Sequence, residues 1–270
     1  GRKLAVKRPA TATTILSSFS RAMSSAQLDA DALLSGHDAT QVQLMEEKCI
    51  LVNRSDQVIG LESKKNCHLN VNIEKGMLHR AFSIFLFDQQ NRLLLQQRAS
   101  EKITFPDFWT NTCCSHPIYF EQPGEVSGMG AADYQPEMET KENMGIKRAA
   151  VRKLDHELGI KLQESDFTFI TKILYKAPSS GIWGEHEIDY ILFAKKPEIT
   201  AVPNLNEVRD FRYFTIEEVK ALVDSASDEA GAVKITPWFG LIVKHFLFKW
   251  WNDVDSLDQH LDLNSIHEIK

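Results

Sequence analysis

The sequence has no hydrophobic run long enough to cross a lipid bilayer. Its most apolar stretch, residues 239–251, is interrupted by Lys244, His245 and Lys249, whereas a transmembrane helix needs about 20 mostly apolar residues. Cysteine is scarce too, and no signal-peptide pattern or regular cysteine spacing is visible, which excludes the disulfide framework of a small secreted protein. We therefore expect no membrane span and four reduced cysteines: Cys49, Cys67, Cys113 and Cys114.

Positive charge is not in excess either. The net charge of −6 and the pI of about 5.9 give no reason to expect a nucleic-acid partner. Acidic residues are absent before Asp29, where several Lys and Arg and many Ser and Thr occur. This composition is typical of an organelle transit peptide, and equally of a disordered tail or residues left from cloning. We expect residues 1–40 to be an N-terminal extension. A transit peptide would direct the protein to a plastid, and otherwise we expect it in the cytoplasm.

Hydrophobic patterns predict strands and helices in irregular alternation. The continuous apolar run at residues 81–87 indicates a buried strand, and residues 49–52 and 57–61 indicate a hairpin. Apolar spacing predicts a helix over residues 146–158 that Gly159 terminates. Four further strands are predicted: 93–95, 167–174, 188–194 and 208–214.

Two sequence signals mark further helix starts. A capping box at residues 215–218 predicts a helix to about residue 223, and Thr236 followed by Pro237 predicts another, with Thr236 as N-cap. This order of elements predicts an α/β (α+β) fold in which a mixed β-sheet packs between helices. We expect one domain over residues 41–260, with an acidic loop insertion at 118–143 and a C-terminal tail at 261–270.

Two short segments carry reactive side chains. Residues two apart in an extended backbone share a face, so Cys114 and His116 should project together, as should Glu185 and Glu187 on another segment. A thiol, an imidazole and two carboxylates could therefore meet in one cavity. These are the groups that metal-assisted acid–base chemistry requires.

The same reasoning extends to a metal site. With His68 and His79 added, the donors are nitrogen and oxygen atoms that suit Mn, Zn, Fe or Mg in a five- or six-coordinate site rather than a thiolate zinc site. Scattered His and Glu occur in any soluble protein, so the spacing alone leaves open whether they meet. Cys113 should point into the core, and His186 should face away from the two glutamates.

Cationic side chains accompany these segments. Arg98 and Lys102 are four residues apart, and Lys64 lies four residues before His68. Lys and Arg near a metal suit a diphosphate in charge and in number of donors. Each of them taken singly could equally belong to a solvated basic patch.

Residues 152–160 resemble the end of a Nudix box, whose glutamates gather the Mg²⁺ ions that drive diphosphate hydrolysis. Lys153 and His156 stand where two of those glutamates would be, and only Glu157 remains. The loss argues against a pyrophosphohydrolase, while the scaffold could be kept for another reaction.

Long, ordered motifs resemble type I isopentenyl diphosphate isomerase. The resemblance implies a Nudix-like fold and the isomerisation of isopentenyl to dimethylallyl diphosphate, in isoprenoid biosynthesis, by metal-assisted protonation and deprotonation through a tertiary carbocation. It runs from about Gln41 to Trp251 and rests on seven segments: 64–69, 78–83, 93–98, 110–117, 175–177, 183–190 and 248–251.

The resemblance also implies a role for each motif residue. Cys114 and Glu187 would transfer protons, Tyr175 would lie beside Glu187, and the ring of Trp238 would face the carbocation. The diphosphate would contact Lys64, Arg98, Lys102 and Ser115. A divalent metal (Mg²⁺, Mn²⁺ or Zn²⁺) would bind His68, His79, His116, Glu185 and Glu187. A further Mg²⁺ on the substrate diphosphate would be held by Glu157.

Two other classes of function stay open at this point. One is a Nudix hydrolase of a nucleoside diphosphate derivative, against which Lys153 and His156 count. The other is a non-catalytic, metal-stabilised binding module, which has no need for the thiol of Cys114. For the isomerase we expect a small-molecule diphosphate substrate, no nucleic-acid partner and no membrane span, and a monomer, with a dimer left open.

Overall fold

The structure is a computed structural model that describes residues 32, 34–119, 144–179, 181–197, 199–226 and 233–270. The chain divides into two compact units, Gly1–His37 and Asp38–Lys270. In the first unit the described residues form a short helical turn. Most of the predicted N-terminal extension, and residues 120–143 of the predicted acidic loop, lie outside the described residues. No helix among the described residues combines the length and apolar character needed to traverse a bilayer.

We number strands and helices in chain order within the described residues. The strands are β1 Lys48–Val52, β2 Val58–Ser63, β3 His79–Phe87, β4 Leu93–Arg98, β5 Trp109–Thr110, β6 Cys113–Ser115, β7 Ile118–Tyr119, β8 Thr168–Pro178, β9 Gly184–Lys195, β10 Val208–Phe214 and β11 Ile266–Glu268. The helices are α1 Ala39–Leu44, α2 Lys64–Cys67, α3 Asn70–Ile73, α4 Met144–Leu158, α5 Ile216–Ala226, α6 Pro237–Ile242 and α7 Phe248–Asn252. A π-helical turn, Val243–Leu247, joins α6 to α7, and short 3₁₀ turns lie at Glu164–Asp166 and Leu257–His260.

These strands form one mixed sheet whose main path is β10-β4-β3-β9-β8-β11. Strands β3 and β9 run parallel and pair His79 with Glu187. Strand β8 runs antiparallel to β9 and pairs Tyr175 with Glu187. On its other edge, β3 pairs antiparallel with β6, where Ser83 lies opposite Cys114. The register of neighbouring strands thus gathers the predicted site residues at one end of the sheet.

Both faces of the sheet are buried under helices, as the predicted fold requires. Along β3, Phe82 and Ile84 pack with the apolar face of α4, whereas Phe85 and Phe87 pack with helices α5 to α7. Successive side chains of a strand point to opposite faces, so the continuous apolar run arises because each face has its own core. The prediction of a mixed sheet between helices is confirmed.

All seven predicted strands occur, and two regions that were not expected to be strands also join the sheet. The hairpin β1–β2 and the strand 208–214 are present as predicted. Ile118–Tyr119, expected to begin the acidic loop, instead pairs with β1. Residues 261–270, expected to be a tail, contain β11, which joins the sheet by parallel pairing with β8. Strands of two or three residues are too short to show the alternating hydrophobic pattern by which a sequence could indicate them.

The two predicted N-caps behave differently. At α5, Thr215 Oγ1 accepts the N–H of Glu218 while the Glu218 carboxylate accepts the N–H of Thr215, which is a complete capping box. Thr236 holds the N-cap position of α6, but its hydroxyl bonds the hydroxyl of Thr110 at 2.7 Å and does not cap the helix. The N–H of Thr236 also donates to the carbonyl of Trp109, so this residue ties α6 to β5.

Helix α4 ends as predicted at a left-handed glycine. Gly159 has φ +63°, and its N–H donates to the carbonyl of Asp155. A Cβ atom here would lie 2.8 Å from the carbonyl oxygen of Val202, whose N–H in turn donates to the carbonyl of Leu158. Gly159 therefore allows both the turn and the close approach of the segment that leads to β10.

Gly159→Ala should destabilise the protein by about 3 kcal/mol, because left-handed strain and a backbone clash add together. The matched control is Gly181→Ala, since Gly181 has φ +64° and open space around its Cβ position. That variant should lose only the conformational term of about 1 kcal/mol. Urea unfolding of both variants measures the difference, and equal losses would contradict the role of the contact with Val202.

Candidate active site

Five of the predicted metal ligands form one buried cluster. Each offers one ligand atom, and these atoms all lie within 4.8 Å of one another. The three imidazole rings have centroids 4.9–5.1 Å apart. Donors that surround one ion at about 2.0–2.3 Å must lie within such mutual distances. The members of this cluster are His68, His79, His116, Glu185 and Glu187.

The hydrogen bonds of His68 and Glu185 show that the cluster suits a cation. His68 Nδ1 lies 2.6 Å from the carbonyl oxygen of Lys64, which can only accept, so Nδ1 carries the hydrogen. Burial lowers the pKa of His68 to about 4, so the neutral ring directs the lone pair of Nε2 at Glu185 Oε2, 2.8 Å away. That oxygen has no hydrogen-bond donor among the described residues. A divalent ion could bind the lone pair of His68 Nε2 and a lone pair of Glu185 Oε2 together.

Glu187 lies at the centre of the cluster. Its Oε1 is 2.8 Å from His116 Nε2 and 3.0 Å from His79 Nε2, and its Oε2 accepts the hydroxyl hydrogen of Tyr175 at 2.5 Å. Burial opposes its ionisation, but the bonds to His116 and His79 hold the pKa of Glu187 well below its usual value. Burial and the nearby charge of Glu187 raise the pKa of Glu185 well above its usual value. The two carboxyls thus differ in their affinity for a proton.

Cys114 is the thiol of this site. It lines the same cavity as Glu187, at the cavity wall formed by β6, and is half-buried, whereas Cys113 is fully buried in the core. The predicted alternation of the two cysteines is therefore correct. Burial raises the pKa of Cys114 to about 12, although Arg98 opposes the shift. At neutral pH the sulfur keeps its hydrogen. All four cysteines are free.

Positively charged side chains line another side of the cavity. We call this side the cationic wall; it consists of Lys64, Arg98 and Lys102, together with Ser115. Lys64 and Ser115 line the cavity directly. Arg98 reaches it from the end of β4, where its guanidinium donates to the carbonyl oxygens of Thr104 and Phe105 at 2.8–3.3 Å. Burial lowers the pKa of Lys102, on the same wall, to about 8. The structure therefore brings together all four residues predicted to contact a diphosphate.

Glu157 reaches the cavity from the last turn of α4, outside the five-residue cluster. Its carboxylate lies 3.1 Å from Lys153 Nζ and accepts a bond of 2.9 Å from Gln96. Although burial opposes the shift, Lys153 lowers the pKa of Glu157. Lys153 stands where a Nudix box would carry another glutamate. Its ammonium group pairs with Glu157, the one carboxylate of the box that remains. His156, at the other replaced position, is more exposed.

Trp238 forms an aromatic side of the cavity. Its indole N–H donates to Asn111 Oδ1 at 3.0 Å, and its ring lies edge-on to Phe105 at 5.2 Å and 6.4 Å from the ring of Tyr175. The Arg98 guanidinium carbon is 5.9 Å from the indole centroid. Trp238 also belongs to the buried core, so the same ring packs in the core and lines the cavity.

Sequence reasoning missed four residues of this site, one of which is Thr104, a cavity-lining residue whose carbonyl oxygen accepts a hydrogen bond from Arg98. Ser83 and Lys153 line the cavity, and Glu207 lies behind it with its carboxylate 2.5 Å from Lys102 Nζ. Ser83 could have been identified from the sequence, because it lies four residues after His79 on the same strand, β3. His186 lies outside the cluster, as predicted, and its Nδ1 is 2.7 Å from the carbonyl oxygen of Met77.

Comparison with known proteins identifies the family. Residues 137–239 match the model of the NUDIX domain. Isopentenyl-diphosphate Delta-isomerase 1 of Mesocricetus auratus is 52% identical over 235 residues, which cover 86% of this chain and 96% of that protein. The chain belongs to the isopentenyl-diphosphate delta-isomerase family. Isopentenyl-diphosphate delta-isomerase of Candida albicans is 47% identical, over 94% of this chain and 89% of that protein.

A plant member of the isopentenyl-diphosphate delta-isomerase family is also similar to this chain. Isopentenyl-diphosphate Delta-isomerase 1, chloroplastic, of Cannabis sativa is 45% identical, over 88% of this chain and 80% of that protein. The family assignment excludes the non-catalytic module, and the Nudix resemblance of residues 152–160 is confirmed as a property of the fold. The present chain is an isomerase.

Glu185→Gln should weaken binding of the cluster to divalent metal by at least about tenfold, because it removes a charged oxygen donor without changing the volume. Metal content after dialysis, measured by plasma mass spectrometry, and the rise of the melting temperature on adding Mn²⁺ or Zn²⁺ report the loss. His186→Ala is the matched control, since its ring lies outside the cluster. Stoichiometric metal in Glu185→Gln, or an equal loss in His186→Ala, would contradict the assignment.

Proposed function

We propose that this isomerase converts isopentenyl diphosphate to dimethylallyl diphosphate with Cys114 and Glu187 as its two proton-transfer groups. The observation that carries the proposal is their placement. Cys114 lies on β6 and Glu187 on β9, which flank β3 on its two edges, and both side chains line one cavity. Two groups at different positions around a substrate can add a proton to one carbon and remove another from a second carbon.

The cationic wall binds the diphosphate. Lys64, Arg98 and Lys102 supply positive charge, and the hydroxyl of Ser115 supplies a further donor at the same wall. Charge-assisted hydrogen bonds to phosphate oxygens are strong and directional. Glu157, which lines the same cavity, would hold a Mg²⁺ ion that is bound to the diphosphate. Binding at this wall fixes the hydrocarbon end of the substrate toward Cys114 and Glu187.

The His/Glu cluster holds a divalent metal, Mg²⁺, Mn²⁺ or Zn²⁺. When bound, the ion would withdraw negative charge from Glu187 and so adjust its affinity for a proton. The chain supplies part of the orientation, because the hydroxyl of Tyr175 donates a hydrogen bond to Oε2 of the Glu187 carboxylate. Tyr175 is also placed to relay a proton to or from Oε2.

The cavity must protect a tertiary carbocation. Protonation of an unactivated alkene gives a cation that water or any other nucleophile would trap, so a dry enclosure is required. Trp238 presents an aromatic ring to the cavity, and the negative face of an indole stabilises a nearby cation. Its N–H bond to Asn111 fixes the ring plane. Trp238 therefore combines binding of the carbocation with closure of the cavity.

Location in the cell is decided by residues 1–40. If they are a transit peptide, the protein enters a plastid, and otherwise it stays in the cytoplasm. Fusion of this segment to a fluorescent reporter in plant cells tests the proposal. Plastid fluorescence supports import, and diffuse cytosolic fluorescence contradicts it.

The reaction is tested by proton NMR of isopentenyl diphosphate incubated with the metal-loaded protein in D₂O. Dimethylallyl diphosphate that carries solvent deuterium is the expected product, because one proton is added from an exchangeable group and another is removed. Unchanged substrate from folded, metal-loaded protein would contradict the proposal. Release of phosphate from a panel of nucleoside diphosphate derivatives would instead support hydrolysis.

Cys114→Ala should lower kcat by at least about a thousandfold, because a proton-transfer group contributes on this scale, while substrate binding changes little. Cys113→Ala is the matched control: it removes the adjacent core thiol, should cost about 1–2 kcal/mol of stability, and should keep kcat within about threefold. The D₂O assay and calorimetric binding of substrate measure both. Retention of most turnover in Cys114→Ala would rule out its role.

A further inference from the structure

Glu207 is a buried carboxylate behind the cationic wall. Its side chain is 1% exposed, and Oε2 lies 2.5 Å from Lys102 Nζ. Oε1 faces Lys153 Nζ at 3.8 Å and His156 Nδ1 at 3.9 Å, and among the described residues it has no hydrogen-bond partner. An ionised carboxylate so deeply buried requires compensating positive charge. Lys102 provides its closest contact.

The backbone of Glu207 is held by neighbouring elements. Its N–H donates to the carbonyl of Asn204, and its own carbonyl accepts the N–H of Ala99, which follows β4 directly. Asn204 in turn donates its N–H to the carbonyl of Glu157 at the end of α4. The backbone of Glu207 is therefore anchored to the segment after β4, which carries Lys102, and through Asn204 to the end of α4, which carries Glu157.

Lys102 needs this anion because it is crowded by other cations. Burial is the main cause that lowers its pKa to about 8, and the positive charges of Lys64, Arg98 and Lys153 lower it further, while Glu207 raises it. The three cations come from α2, β4 and α4. Glu157, on α4, is the other carboxylate that interacts with Lys102. Without Glu207, the buried ammonium of Lys102 would have three like charges nearby and would lose its closest compensating carboxylate, with Glu157 remaining.

We propose that Glu207 is a positioning residue: it holds the ammonium of Lys102 at the cavity wall, in its charged form, as part of the anion site. The inference rests on the proposed function only for the identity of the anion, a substrate diphosphate. Inorganic pyrophosphate is therefore the probe, since its binding does not depend on any isomerisation.

Glu207→Gln keeps the volume and one acceptor oxygen but removes the charge. Calorimetry should show pyrophosphate binding weakened by about tenfold near pH 7.5, because one charge-assisted contact is lost. With isopentenyl diphosphate, KM should rise by a similar factor while kcat changes less than about threefold. A merely structural role of Glu207 predicts a loss of active protein and an unchanged KM instead.

The pH dependence gives a second readout. Loss of the anion should lower the pKa of Lys102 below about 8, so the fraction of neutral Lys102 in Glu207→Gln grows as pH rises from 6 to 8. The ratio of pyrophosphate dissociation constants, variant over wild type, should therefore increase across this range. Taking the ratio cancels the titration of pyrophosphate itself. A ratio that is independent of pH would overturn the inference.

A double-mutant cycle tests whether Glu207 acts through Lys102. Lys102→Met should weaken pyrophosphate binding by itself, and adding Glu207→Gln to it should change binding by less than about twofold. If the two losses multiply, Glu207 acts independently of Lys102 and the inference is wrong. Should Glu207→Gln alone fail to fold, the comparison of Lys102→Met with the double variant, in which both buried charges are absent, still decides. Failure of wild type to bind pyrophosphate would also overturn it, even if isomerisation is observed.

Discussion

The convergence of three donors on the Glu187 carboxylate is the interaction on which the active site depends. A carboxylate buried in protein is strongly disfavoured unless its charge is compensated, and here two imidazoles and a phenol surround it. Each partner comes from a different strand or loop, so the compensation exists only when the sheet is assembled. The buried negative charge of Glu187 therefore depends on the order in which the strands are assembled.

Buried charged side chains also form ion pairs away from Glu187. Lys102 and Lys153, which face the anion side, are each held against a buried carboxylate, Glu207 and Glu157 respectively. A Nudix hydrolase would have carboxylates where Lys153 and His156 stand here, and the pairing of Lys153 with Glu157 leaves less negative charge for metal ions. Under the proposed function, this pairing would favour retention of a diphosphate over its cleavage.

Local patterns predicted the parts of the fold whose cause is local. Gly159 at the end of α4 and the capping box at Thr215 act within a few residues, and both were predictable. The start of β9, Gly184–Glu187, lay outside the predicted strand because its buried side chains are polar. Alternation placed Glu185 and Glu187 together, but their meeting with His68 and His79 depended on strand register. Glu207 was missed because its partner is 105 positions away in the chain.

The parallel pairing of β3 with β9 has a consequence for how the molecule matures. His79 and Glu187 are 108 positions apart, and contacts of such sequence separation form late because long loops must close first. A slip of one residue would turn Glu185 and Glu187 to the opposite face of the sheet. A nascent chain therefore lacks the complete His/Glu cluster until β9 is in place, and a metal bound by that cluster would stabilise only molecules that have completed folding in the correct register.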